Sequence, residues 1–140
     1  MALKEVKDLD EFEFVDSLDA GIEGKFIELL VDTKKRKIFH VHPPTGHFKA
    51  AAEYLNKEED ELTKKNSGHL VSAMIQVKEK VLIHLAYGGR TSLENRLHEH
   101  HTTRQLGIAQ LLLERLVKKS QLKNEIVVIG DIRKKEIVFK

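Results

Sequence analysis

The sequence predicts an α/β (α+β) fold, a mixed or antiparallel sheet of five to seven strands with two main helices. Three observations carry that expectation. Short runs rich in β-branched and apolar residues, at 25–31, 37–41, 69–77, 80–87 and 125–129, recur between turn-forming residues. Two segments, 47–55 and 104–119, are dense in helix formers, and the second repeats apolar residues at three-to-four spacing. With 140 residues, 41% hydrophobic and 33% charged, the chain has the size and composition to bury one core. No linker-like stretch divides it, so residues 1–140 read as one domain.

The first ten residues are mostly polar and read as loosely held. Alternation of polar and apolar residues from Glu11 to Asp16 predicts a short half-buried strand, and 19–24 a turn. Strands over Lys25–Val31 and Lys37–Val41 flank a basic run, Lys34 to Lys37, that reads as a solvated hairpin tip. After Pro43-Pro44, Thr45 is placed to cap a helix that begins near His47 and contains Ala50, Ala51, Ala52 and Leu55. The charged stretch 56–67 reads as the end of that helix and an exposed loop. A second hairpin follows, His69–Val77 with Lys80–Tyr87, ending at Gly88-Gly89. Thr102 or Thr103 caps the clearest helix, Arg104–Lys119, whose apolar stripe includes Leu106, Ala109, Leu112, Leu113 and Leu116. Strands at Glu125–Ile129 and Glu136–Phe139 complete the order β-β-β-α-β-β-α-β-β. The simplest packing sets both helices on one face of the sheet.

Composition removes several classes of function. Lys+Arg 24 against Asp+Glu 22 gives a net charge of +2, without the cationic excess that a dedicated nucleic-acid binder uses against phosphates. The absence of cysteine excludes disulfides, thiolate zinc sites and a cysteine nucleophile. No signal-peptide pattern opens the sequence, and no apolar run approaches the roughly 20 residues of a membrane span. A cytoplasmic protein without a membrane partner is expected.

Eight histidines are the chain's most distinctive chemical feature. His98-x-His100-His101 has the look of a metal-binding tract but lies in a polar connector, so no metal is assigned there. His40-x-His42-Pro43 resembles the His-x-His-Pro motif of deubiquitinase-type metallohydrolases. The downstream Ser and Asp of that motif are missing, and the metallohydrolase reading is set aside. Arg104-Gln105-Leu106-Gly107-Ile108-Ala109 is similar to the coenzyme A pyrophosphate turn of GCN5-type acetyltransferases, although the segment before it is polar rather than an apolar strand. The strongest constellation joins His47, at a helix start, to Gly88-Gly89-Arg90-Thr91-Ser92. A helix N-terminus favours neutral imidazole, suited to act as base or nucleophile. The glycine-led segment supplies backbone N–H groups, one guanidinium and two hydroxyls, the parts of a phosphate cradle.

In these elements the chain resembles the small protein-histidine phosphatases over roughly residues 24–130. The shared features are a histidine just ahead of a helix, a glycine (Gly68) leading a hairpin, and a small-residue loop closing that hairpin's second strand, Lys80–Tyr87. The family's His-Ala-Asp is His47-Phe48-Lys49 here, its glycine cluster is reduced to Gly68, and its Ser-x-x-Tyr-Gly loop becomes Gly88–Ser92. The resemblance implies catalysis by His47, phosphate binding by Gly88, Gly89, Arg90, Thr91 and Ser92, and substrate binding by Lys25, with no cofactor. The expected ligand is a phosphorylated small molecule or protein side chain. The alternatives are a non-catalytic protein-interaction module on the same fold and an acetyltransferase-like coenzyme A binder.

Overall fold

A computed structural model describes residues 2–16, 24–86 and 103–129. Among these residues seven strands form one sheet: β1 (Ala2–Glu5), β2 (Val15–Asp16), β3 (Lys25–Asp32), β4 (Lys37–His42), β5 (Leu70–Val77), β6 (Lys80–Ala86) and β7 (Glu125–Ile129). The spatial order is β1-β4-β3-β5-β6-β7, and β2 pairs beside the start of β3. Every pairing is antiparallel except β6 with β7, which run parallel. Helices α1 (His47–Leu55), α2 (Lys64–Ser67) and α3 (Thr103–Lys119), with 3₁₀ turns at Leu9–Glu11 and Glu59–Glu61, complete the described elements. The mixed α+β class, the strand count and the two main helices are those predicted.

The N-terminal segment differs from expectation. Ala2–Glu5 is an edge strand paired with β4, from Ala2 opposite His42 to Glu5 opposite Phe39. Its polar composition hides three apolar anchors: Leu3 packs on the core, and Val6 and Leu9 are 5% and 0% exposed. The predicted strand 11–16 shrinks to Val15–Asp16, because Leu9–Glu11 winds into a 3₁₀ turn capped by the Asp8 side chain.

The basic hairpin tip is exposed from Lys34 to Lys37, as predicted. Its turn is organised by buried Asp32, whose Oδ1 accepts N–H bonds from Lys34 (3.0 Å) and Lys35 (2.9 Å), while Arg36 adopts φ 56°. Oδ2 of the same carboxylate accepts the Tyr54 hydroxyl at 2.8 Å, tying the end of α1 to the tip. Burial and the Asp32 charge together push the Tyr54 hydroxyl up to about 12.

The two main helices lie on opposite faces of the sheet, not on one as expected. Strand residues alternate between faces. Ile27, Leu29, Val31, Val71, Ala73, Ile75, Val81, Ile83 and Leu85 join Leu106, Ala109, Leu113 and Leu116 of α3 in one core. Leu30, Val41 and Leu70 join Phe48, Ala50 and Ala51 of α1 in another. In sequence, β3, β5 and β6 are nearly continuous apolar runs, which is the pattern of strands covered on both sides. The parallel step from β6 to β7 passes through α3, and Asn124 Nδ2 locks the start of β7 to the β5–β6 turn through the carbonyls of Lys78 (3.1 Å) and Glu79 (2.9 Å). No helix among the described residues is long and apolar enough to cross a membrane.

Candidate functional site

The sheet face beneath α1 carries polar side chains where an ordinary core would be apolar. Register places Glu28 (β3) opposite Met74 (β5), and Met74 opposite His84 (β6). Ser72 and Gln76 flank Met74 along β5, two residues away on either side, and so share its face. These four polar residues are 1–5% exposed, whereas Met74 at their centre is only half-buried. His47, 4% exposed, begins α1 above the Glu28 side of this floor.

Glu28 takes the place expected of a helix cap. The Thr45 side chain does not cap α1; Gly46 is the N-cap, at φ 95°, and no N-cap side chain bonds the helix. Instead the Glu28 carboxylate accepts the Thr45 N–H (3.0 Å to Oε2) and the Gly46 N–H (2.9 Å to Oε1, 3.1 Å to Oε2). A β-carbon on Gly46 would meet nothing within 4 Å, so glycine is required there by backbone conformation and not by crowding. The chain reaches this point from β4 through a cis His42–Pro43 bond. Burial raises the Glu28 carboxyl to about 7, although the two N–H donors pull the other way. It is therefore placed to hold or release a proton near neutrality, next to His47 in the chain's fold.

The remaining predicted residues are spread more widely. Lys25 is exposed, pairs with Asp16 and stands on the α3 face, three residues before Glu28 and opposite to it. A substrate lysine at this floor would need the other parity. Gly88, Gly89, Arg90, Thr91 and Ser92 lie outside the described residues; β6 is described to Ala86, whose partner on β5 is Ser72. His98, His100, His101 and the predicted strand Glu136–Phe139 also lie outside them, as does most of the predicted 19–24 turn.

His40 and His42 are on the α3 face with Lys4 and Phe12, away from Glu28. Their rings stack at 5.6 Å, and burial, helped by the charges of His42 and Lys4, lowers the His40 pKa. Among the described residues no three His, Asp or Glu side chains converge for a metal. Arg104–Ala109 forms the beginning of α3, with Leu106 and Ala109 in the core and Arg104 exposed.

Sequence reasoning missed Glu28, Ser72, Gln76 and His84. A signal was present: each is a polar residue at even parity inside an otherwise apolar strand, and the antiparallel register then groups them. No protein-family model matches the sequence, and neither the curated proteins nor the solved structures yield a match.

Proposed function

We propose that the polar floor under α1 is a phosphate-handling site, in which His47 is the general base or transient phosphoryl acceptor and Gly88, Gly89, Arg90, Thr91 and Ser92 hold the phosphate. The observation that carries the reading is the burial of Glu28, Ser72 and His84 on one sheet face around half-buried Met74, with buried His47 at the start of the helix whose N-terminal turn Glu28 holds. Buried ionisable groups cost stability, and their concentration in one place is characteristic of sites kept for chemistry.

In the hydrolytic form, a neutral imidazole nitrogen of His47 attacks phosphorus. The bond to the leaving oxygen or nitrogen breaks, and the leaving atom takes the proton that Glu28 holds near pH 7. Water then cleaves the N–P bond, returns a proton to Glu28 and releases inorganic phosphate. Neither step calls for a metal or an organic cofactor. Titration with inorganic phosphate, followed by amide NMR, is expected to move Gly46, His47 and the Gly88–Arg90 signals. A phosphoryl donor is expected to leave an acid-labile label that His47→Ala abolishes. Unmoved amide signals and an unlabelled protein would overturn the reading.

One observation favours a second reading, a non-catalytic interaction module. Glu28, at 1% exposure with two N–H donors, also satisfies the requirements of a purely structural cap for α1. In that case phosphate has no effect, and a partner strand adds to a sheet edge. Acetyl transfer, the third reading, predicts thermal stabilisation by coenzyme A, and its absence removes that option.

A further inference from the structure

At the far edge of the same floor a second set of donors converges. Gln76 is 2% exposed, and its Nε2 has no hydrogen-bond acceptor among the described residues. Such an amide destabilises the fold, a leucine there would avoid the cost, and an occupant that accepts its protons would relieve it. Lys78, two residues on, is exposed and makes no ion pair among the described residues.

The two side chains meet over Gly24. An ideal β-carbon on Gly24 would stand 2.5 Å from Lys78 Cε, 2.8 Å from Gln76 Nε2 and 3.1 Å from Lys78 Nζ. The Lys78 stem thus already occupies the space over Gly24, with Gln76 Nε2 alongside, leaving no room for a side chain at 24, and Gly24 also holds φ +98°. A concavity of about 410 Å³ opens beside them, lined by Lys78, Glu79, Lys80 and Leu82. Leu82 is the cross-strand partner of Gln76, and Lys80 is paired to Glu125 at 3.3 Å.

We propose that Gly24, Gln76 and Lys78 form an oxyanion subsite for a small ligand whose carboxylate or phosphate accepts from Gln76 Nε2 and Lys78 Nζ and whose apolar part rests on Leu82. Glu79 on the rim disfavours polyanions and selects a compact, weakly charged group. The subsite does not depend on turnover at His47.

The test follows the Gln76 side-chain amide by NMR while sodium acetate and inorganic phosphate are titrated separately at constant ionic strength. A saturable shift with acetate alone identifies a carboxylate ligand, and one with phosphate identifies a phosphate ligand; either supports the subsite. Lys78→Met, at an exposed position, is expected to weaken binding about tenfold or more by removing a charge-assisted hydrogen bond. Gln76→Leu is expected to abolish the anion effect while raising the Tm of the unliganded protein. His47→Ala is expected to leave the Gln76 shift intact, which separates this subsite from the phosphate site proposed above. No saturable shift with either anion, or an undiminished shift in Lys78→Met, would overturn the proposal.

Discussion

The two faces of the sheet are built from the same strands with opposite chemistry. On the α3 face, the nine central positions of β3, β5 and β6 are all apolar: Ile27, Leu29, Val31, Val71, Ala73, Ile75, Val81, Ile83 and Leu85. On the α1 face, the same strands present Glu28, Asp32, Ser72, Gln76 and His84 among Leu30, Leu70 and Met74. One face obtains stability from dry burial. The other gives up part of that stability to keep proton-active and hydrogen-bonding groups away from water. Asp32 shows that burial of a carboxylate is not by itself a functional sign, because it organises the hairpin turn and anchors Tyr54. Glu28 instead stands at a helix start, just ahead of His47, and burial raises its carboxyl to about 7.

The largest effect is expected on the apolar face. Ile83 is 0% exposed at the centre of the α3-side core. Ile83→Ala removes buried methyl groups and leaves a cavity, so chemical denaturation should show a loss of about 2–5 kcal/mol. If the loss is below about 1 kcal/mol, the division of labour between the faces is wrong, because that core would not carry the stability assigned to it.

The next effect belongs to the polar face and has the sign of a raised acid. Burial raises the Glu28 carboxyl of the folded state from its ordinary 4.5 to about 7, so between those values the folded state holds a proton that the unfolded state has lost. Its stabilising contribution is complete below about pH 4.5 and declines as pH rises through about 7, by roughly 3 kcal/mol in total. Urea midpoints compared between wild type and Glu28→Gln across that window isolate the effect: the variant curve should be flatter. Parallel curves would mean that Glu28 titrates as an ordinary carboxylate.

How much of this could be read in the sequence follows the same division. The α3 face was legible because Leu106, Ala109, Leu113 and Leu116 repeat at helical spacing and the strands are apolar runs. The helix start at His47 was legible from the Pro-Pro-Thr-Gly turn and the alanine cluster that follows. The placement of α1 and α3 on opposite faces was not, since a run apolar at both parities does not say which helix covers which side. The floor was hidden for a related reason. Glu28 and Gln76 lie 48 positions apart in sequence by their numbers, and only the β3–β5 register makes them neighbours on one face. Lys25 illustrates the same sensitivity: a one-residue change of parity decides whether it reaches the floor, and it stands on the other side.

A smaller effect tests whether Asp32 is structural. Tyr54→Phe deletes the hydroxyl that donates to Asp32 Oδ2 at 2.8 Å, leaving the two backbone donors to the other carboxylate oxygen in place. The expected cost is about 1 kcal/mol in urea unfolding, with no change in any phosphate- or acetate-induced shift at His47 or Gln76. A change in ligand response would join Asp32 and Tyr54 to the floor and enlarge the site toward the hairpin tip.

The smallest effect lies at the rim of the Gln76 concavity. Lys80 and Glu125 approach to 3.3 Å, but their side chains are 52% and 67% exposed. Solvent screens such a pair, and ordering two long side chains offsets much of the attraction, so Lys80→Ala should alter stability by no more than about 0.5 kcal/mol. The parallel β6–β7 register does not rest on this pair, because Ile126 and Val128 pack on the α3-side core. Amide exchange of β7 should therefore be nearly unchanged in Lys80→Ala. Fast exchange along β7 in that variant would show that the ion pair, and not the buried stripe, sets the parallel edge.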